Sequence, residues 1–225
     1  MSFSSYAGSD IISGSITIPY WGAISADVGF TTTSSINLTG TLIVGDLSYK
    51  CTVFRSSEFG GSRTARLVGG YGGWRKSIPT QGYNLSSGVK ASLVLGDCAN
   101  IVGEQVTVVT DRSLGQQWAR EEAPASRTLK QIAGIEWWVE PSGVTRVGPR
   151  TNLTQITSPF DVLVRTGGKG TITIATEVYS DWTPGRTFLV PGSASPVTIS
   201  AVILTLGEGG KARLEVLTYG AENES

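Results

Sequence analysis

Histidine is absent from all 225 residues. Its absence removes the commonest general base and the commonest metal ligand, and with it every Ser-His or Cys-His nucleophile arrangement. Cysteine occurs twice, at Cys51 and Cys98, far apart and in segments of different pattern. Two buried free thiols are the simplest reading, with a single disulfide as the alternative. Without histidine only a carboxylate metal site could form, and no D-x-D-x-D-G run is present. No metal or cofactor is therefore expected. Charged residues make up only 16% of the chain, 18 basic against 18 acidic. A zero balance argues against broad nucleic-acid binding, which needs a basic face. It also means little self-repulsion, as suits a chain packed in an assembly. No run approaches eighteen consecutive apolar residues, so no membrane-spanning helix is expected. The opening MSFSSYAGSDIISGS has neither the basic nor the apolar region of a secretory leader.

Twenty-nine glycines are present, together with many serines and threonines. They favour short strands and tight turns, in one large β domain or two small ones. Residues 1–15 are small and polar and read as an N-terminal arm ordered only against neighbours. From residue 16 to 70, ITIPYWGAISADVGF and the three runs that follow alternate apolar and polar residues. Turn signals sit at Gly40, Gly45-Asp46 and Gly60-Gly61, and Pro19 marks its strand as an edge or a bend. A helical period appears only in the middle. Residues 86–103 place Val89, Leu93, Val94, Cys98, Ile101 and Val102 on one stripe, with Ser86 or Ser87 as cap and Gly103 as stop. A second helix is expected at 126–134, with Leu129, Ile132 and Ala133 facing inward. IEWWVEPSGVTRVGP then reads as a hairpin turning at Pro141-Ser142-Gly143.

Residues 104–150 complete the N-terminal β domain into which the first helix is inserted. They open with the strand QVTVVT and continue as a polar loop anchored by Trp118, in which Arg120, Glu121 and Glu122 read as solvated surface. Residues 151–219 carry five short β runs with Gly-Gly, Thr-Pro-Gly and Pro-Gly punctuation, the pattern of a small OB-like β-barrel. AENES, within 220–225, reads as a disordered tail. The fold class is α+β, mostly β.

Four segments taken together resemble the tail-hub proteins of bacteriophages, the baseplate hub and late-control protein D group. These are RTARLVGGYGGWRKSIP, LSSGVKASLVLGDCANIVGE, QQWAREEAPASRTLKQIAGIEWWVEPSGVTRVG and the C-terminal β pattern with TPGRTFLV. The resemblance spans roughly residues 14–219 and is one of pattern and order. It implies a structural virion protein, not an enzyme, forming a homotrimeric ring in the tail baseplate after assembly in the host cytoplasm. Its partners would be the tail tube protein, a spike or tail-tip protein and other baseplate proteins, with possible passage of DNA through the lumen.

The chemistry in the chain is thin. Glu58, Asp97, Glu104, Glu136 and Glu140 are scattered, with no pair spaced for a cell-wall hydrolase. Gly69-Gly70 and Gly72-Gly73 before Trp74-Arg75 lack the spacing of a phosphate loop and suggest a close backbone crossing. Arg63, Arg66, Arg75 and Lys76 could face DNA, but solvation or ion pairing is the simpler role. Tyr20, Trp21, Trp74, Trp137, Trp138 and Trp182 are the interface candidates. The alternative use of Tyr20, Trp21, Tyr71, Trp74, Trp137, Trp138 and Trp182 is a host-glycan-binding platform. Trp137 and Trp138, adjacent on a strand, must point to opposite faces.

Overall fold

The computed structural model describes residues 3–30, 36–151, 153–166, 170–207 and 212–219. The N-terminal pattern becomes β1 (Ser4–Tyr6), β2 (Ser9–Asp10), β3 (Ser13–Pro19), β4 (Ser25–Phe30), β5 (Thr39–Val44), β6 (Leu47–Phe59) and β7 (Ser62–Gly69). The middle holds β8 (Ser77–Ile78), β9 (Gln81–Asn84), α1 (Ala91–Val102), β10 (Val106–Val108), β11 (Gln117–Arg120) and β12 (Ala123–Pro124). It ends with α2 (Ala125–Ala133), β13 (Trp137–Val139) and β14 (Thr145–Val147). The last third gives β15 (Asp161–Thr166), β16 (Thr171–Ala175), β17 (Thr187–Phe188), β18 (Val197–Leu206) and β19 (Ala212–Tyr219).

Period-two alternation drives the strands. Ile16 and Ile18 on β3, Ala26, Val28 and Phe30 on β4, and Ala65 and Leu67 on β7 all point inward. The residues between them face out. Glycine turns at Gly45 and at Gly60-Gly61, all with positive φ, close the β5–β6 and β6–β7 hairpins.

The two β regions are not separate sheets. Strand order runs β15-β16-β19-β18-β3-β4-β7-β6-β5-β1-β2, with β17 added to β18. The C-terminal strands form no closed barrel among the described residues, contrary to the expected OB-like closure. The reason lies in β18, whose one edge pairs with β19 and whose other edge pairs with β3, Val202 opposite Ile18 and Leu204 opposite Ile16. One hydrophobic core follows the sheet from Tyr6 and Phe30 to Trp182 and Val216. Asp46, in the β5–β6 turn, accepts the amides of Tyr179 and Ser180, while Phe3 packs edge-on to Tyr179 at 5.6 Å. These contacts tie the N-terminal strands to the C-terminal ones.

Several local expectations are corrected. The opening residues are not an arm: β1 pairs with both β2 and β5, and Ser4, Tyr6 and Ile11 are buried. Pro19 sits at the last position of a central strand, where a missing N–H costs least, and not on an edge. Helix α1 starts at Ala91 with Lys90 as its first flanking residue, and neither Ser86 nor Ser87 caps it. Asp111, from the following loop, accepts the Ser92 amide and hydroxyl instead. The buried stripe of α1 is Ala91, Val94, Leu95, Cys98, Ala99 and Val102, leaving Leu93 and Ile101 exposed. Gly103 ends the helix in the left-handed region, as expected. The two helices build a second, smaller core with Ile78, Val89 and Val147. The segment AENES lies outside the described residues.

Candidate interaction surface

The glycine-rich crossing after β7 brings the sheet close against the helical layer. Gly70 and Gly72 take positive φ, and a Cβ on Gly73 would overlap the Val102 carbonyl oxygen at the end of α1. The loop does hold an anion, but one from the chain itself. Glu104, only 6% exposed, accepts the amides of Gly73 and Tyr71. Burial pushes its carboxyl above the ordinary range, with those amides pulling it back. A phosphate would find this nest filled.

Beside the crossing, a cleft of about 190 Å³ opens between sheet and helices, lined by Val53, Phe54, Trp74, Arg75, Trp137 and Val139 among others. Trp74 is half-buried, and its indole N–H donates to Thr145 Oγ1 at 2.9 Å, so it anchors the crossing to the hairpin. Trp137 and Trp138 point to opposite faces, as strand geometry requires. Trp137 packs on the helical core, and Trp138 turns to the other side.

There Trp138 meets Trp21 at 5.9 Å between ring centroids, and Trp21 meets Tyr20 edge-on at 4.7 Å. Arg150 lies over both Tyr20 and Trp138, at 5.1 and 5.4 Å, and donates to the Tyr20 carbonyl. A backbone exchange between Gly22 and the hairpin holds the group together. Tyr20, Trp21 and Trp138 all remain partly exposed. Three of the six candidates, Tyr20, Trp21 and Trp138, thus gather at one junction of sheet and hairpin, while Trp137 lines the cleft with Trp74.

Trp182 does not join them. It is 0% exposed and packs edge-on against Phe160 and Phe188, each at 5.1 Å. A 3-10 turn at Tyr179–Asp181 feeds it into the core, which makes it a packing residue and not an interface candidate.

Arg120 also departs from the sequence reading. It is 3% exposed and donates to the Pro79 carbonyl, the Tyr83 hydroxyl and Cys98 Sγ, whereas Glu121 and Glu122 are exposed as expected. On β11, period two turns Trp118 onto Tyr83 and the helical core, and Arg120 inward beside it. Sequence alone offered only the alternation in QWAR as a signal. Both cysteines are free and buried, and burial pushes the Cys51 thiol up to about 12.

The four basic candidates each have a partner of their own. Arg63 pairs with Glu58 at 2.6 Å, Arg66 grips Asp27 with two bonds, Arg75 caps the Phe54 carbonyl and Lys76 donates to the Val102 carbonyl. Of the carboxylates, Glu140 pairs with Arg146 and Glu104 holds the crossing. Among the described residues no group of Cys, Asp and Glu converges as metal ligands, and no helix is long and apolar enough to cross a membrane.

No family model matches the sequence, and no curated protein matches it. Solved structures do. The Escherichia coli c3393 protein, a type VI secretion system component with structural similarity to the T4 bacteriophage tail proteins gp27 and gp5, aligns with a TM-score of 0.65 at 9% identity. That alignment covers 96% of this chain and 75% of that one. A tail protein from Neisseria meningitidis MC58 aligns with a TM-score of 0.62 at 14% identity, over 94% and 93% of the two chains. The 43 kDa tail protein of prophage MuSo2 from Shewanella oneidensis gives 0.56 at 10% identity, over 98% and 99%. At these identities the likeness is one of fold, and it extends along nearly the whole chain.

Proposed function

We propose that this chain is a structural protein of a phage-type tail, a subunit of the baseplate hub ring that joins the tail tube to a spike or tail tip. The observation that carries this reading is the fold shared with tail and secretion-system proteins over almost all of the chain. The side chains agree with it. On this reading the protein works without a reaction or a cofactor. The half-exposed cluster of Tyr20, Trp21 and Trp138 has its rings edge-on or tilted and covered by Arg150, a poor flat platform for a sugar ring and a good aromatic anchor for a subunit contact.

Three copies close the ring by head-to-tail contacts, with this junction at or near the interface. The tube protein and the spike or tip protein bind its two ends, and other baseplate proteins pack outside. The virion tail is its final location, reached by assembly in the host cytoplasm. Co-expression with the tail tube protein, followed by affinity capture of the tube, tests the reading. Stoichiometric retention of this chain is expected, and loss of it on mild washing contradicts the hub role.

A further inference from the structure

The outward face of the sheet between β3 and β6 carries a second feature, apart from the aromatic junction. A transverse row of paired residues crosses it: Ser15 opposite Asp27, Asp27 opposite Arg66, and Arg66 opposite Arg55. Arg66 uses up the Asp27 carboxylate with bonds of 3.0 and 2.6 Å. Arg55 therefore faces a second arginine, a pairing that destabilises a sheet. No carboxylate among the described residues answers it.

The bulge in β6 between Val53 and Arg55 is what puts it there. Leu47, Tyr49, Cys51 and Val53 all point inward, so unbroken alternation would carry residue 55 inward too. The bulge turns Arg55 outward instead, the re-aiming that bulges perform beside functional sites. Over this row lies a groove of about 530 Å³, lined by Ser13, Gly29, Arg55, Ser57, Thr64 and Arg66 among others. Its floor stays low at Gly29, where a Cβ would stand 3.0 Å from Ser13 Oγ. The Ser57 and Thr64 hydroxyls bond each other at 2.8 Å, which leaves the Arg55 charge as the groove's main unmet demand. Further along the same face Phe59 stands 89% exposed.

We propose that this groove receives an acidic and partly apolar peptide segment of a neighbouring tail protein, its carboxylate on Arg55 and an apolar side chain on Phe59. Four residues of strand separate the two anchors by about 13 Å, so the matching segment carries its acid and its apolar residue four positions apart. Charge complementarity selects the occupant: an unanswered guanidinium wants a carboxylate, while hydroxyls already paired with each other offer little to a sugar. Naming a tail protein as its source rests on the function proposed above; the chemistry of the groove does not.

The test uses the purified chain with three probes: the peptide GESTSLG, its counterpart GQSTSLG, and a sulfated trisaccharide, each followed by amide NMR shifts. Shifts at Arg55, Ser57, Phe59 and Thr64 are expected with GESTSLG, at least tenfold weaker affinity for GQSTSLG, and the same loss in Arg55→Thr. Arg55→Thr is also expected to melt higher than the parent, because a like-charge pair is gone. Equal response to the two peptides, groove shifts with the sugar alone, or undiminished binding by Arg55→Thr would overturn the proposal. A chain that binds GESTSLG but is not retained by the tail tube keeps the groove and loses the tail role. A chain retained by the tube but blind to the peptide does the reverse.

Discussion

Two aromatic clusters of similar size sit in this protein and do opposite things. Phe160, Trp182 and Phe188 are edge-on to one another inside the main core, and none of the cation–ring contacts among the described residues involves them. Tyr20, Trp21 and Trp138 show comparable ring geometry but lie at the sheet–hairpin junction, half-exposed and capped by Arg150. The contrast teaches that ring count and spacing do not separate packing aromatics from contact aromatics. What separates them is where the chain delivers them: the Tyr179–Asp181 turn puts Trp182 in the core, while the backbone exchange at Gly22 holds Trp21 and Trp138 at a junction that stays partly exposed.

Trp182→Ala should show the largest effect. Emptying a fully buried indole site costs about 3–5 kcal/mol, read as a lower denaturation midpoint with an unchanged slope. A loss under about 1 kcal/mol would erase the difference between the clusters. Trp138→Ala should divide differently: about 1 kcal/mol in the isolated chain, but about 2 kcal/mol or more in subunit association if the junction is an interface anchor. Sedimentation of both variants side by side makes that comparison, and a Trp182→Ala chain that loses association more than Trp138→Ala at equal folded fraction would invert it.

Gly73→Ala sharpens the account of the crossing that brings the hairpin to the sheet. Its Cβ meets the Val102 carbonyl, a backbone atom with little room to move, so about 1–3 kcal/mol of destabilisation is expected. Gly82→Ala is a fair control, since nothing lies within 4 Å of its added carbon. The smallest effect concerns pH. Glu104 has a carboxyl raised from 4.5, mainly by burial. A raised acid binds its proton more tightly in the folded chain, so its contribution is complete below the unfolded value and is lost as pH rises through the folded one. Glu104→Gln should flatten the decline in stability just above the ordinary carboxylate range. The same slope in the variant would place its origin elsewhere.

Much of the fold could be read from patterns that depend only on neighbouring residues. The hairpin turns at Gly45-Asp46, Gly60-Gly61 and Pro141-Ser142-Gly143, the two helices and the Gly103 stop all follow from local chemistry. The errors arise where a distant partner decides. β18 looks like a barrel strand until β3 takes its second edge. Ser4 and Tyr6 look like a loose arm until β5 pairs with them. Arg120 looks solvated until the register of β11 on β9 turns it beneath Tyr83, and Trp182 looks like a surface aromatic until the Tyr179–Asp181 turn delivers it to the core. The opposite faces of Trp137 and Trp138 were accessible because strand geometry alone dictates them.

The central claim is that this chain closes on copies of itself in a tail. Native mass measurement of the purified protein, alone and mixed with the tail tube protein, followed by cryo-EM of the assembled tip, tests it most directly. The account predicts three copies around the tail axis, with Tyr20, Trp21 or Trp138 covered by the next subunit. A chain that stays monomeric in both mixtures, or a tip in which it contacts only host glycan, would contradict it.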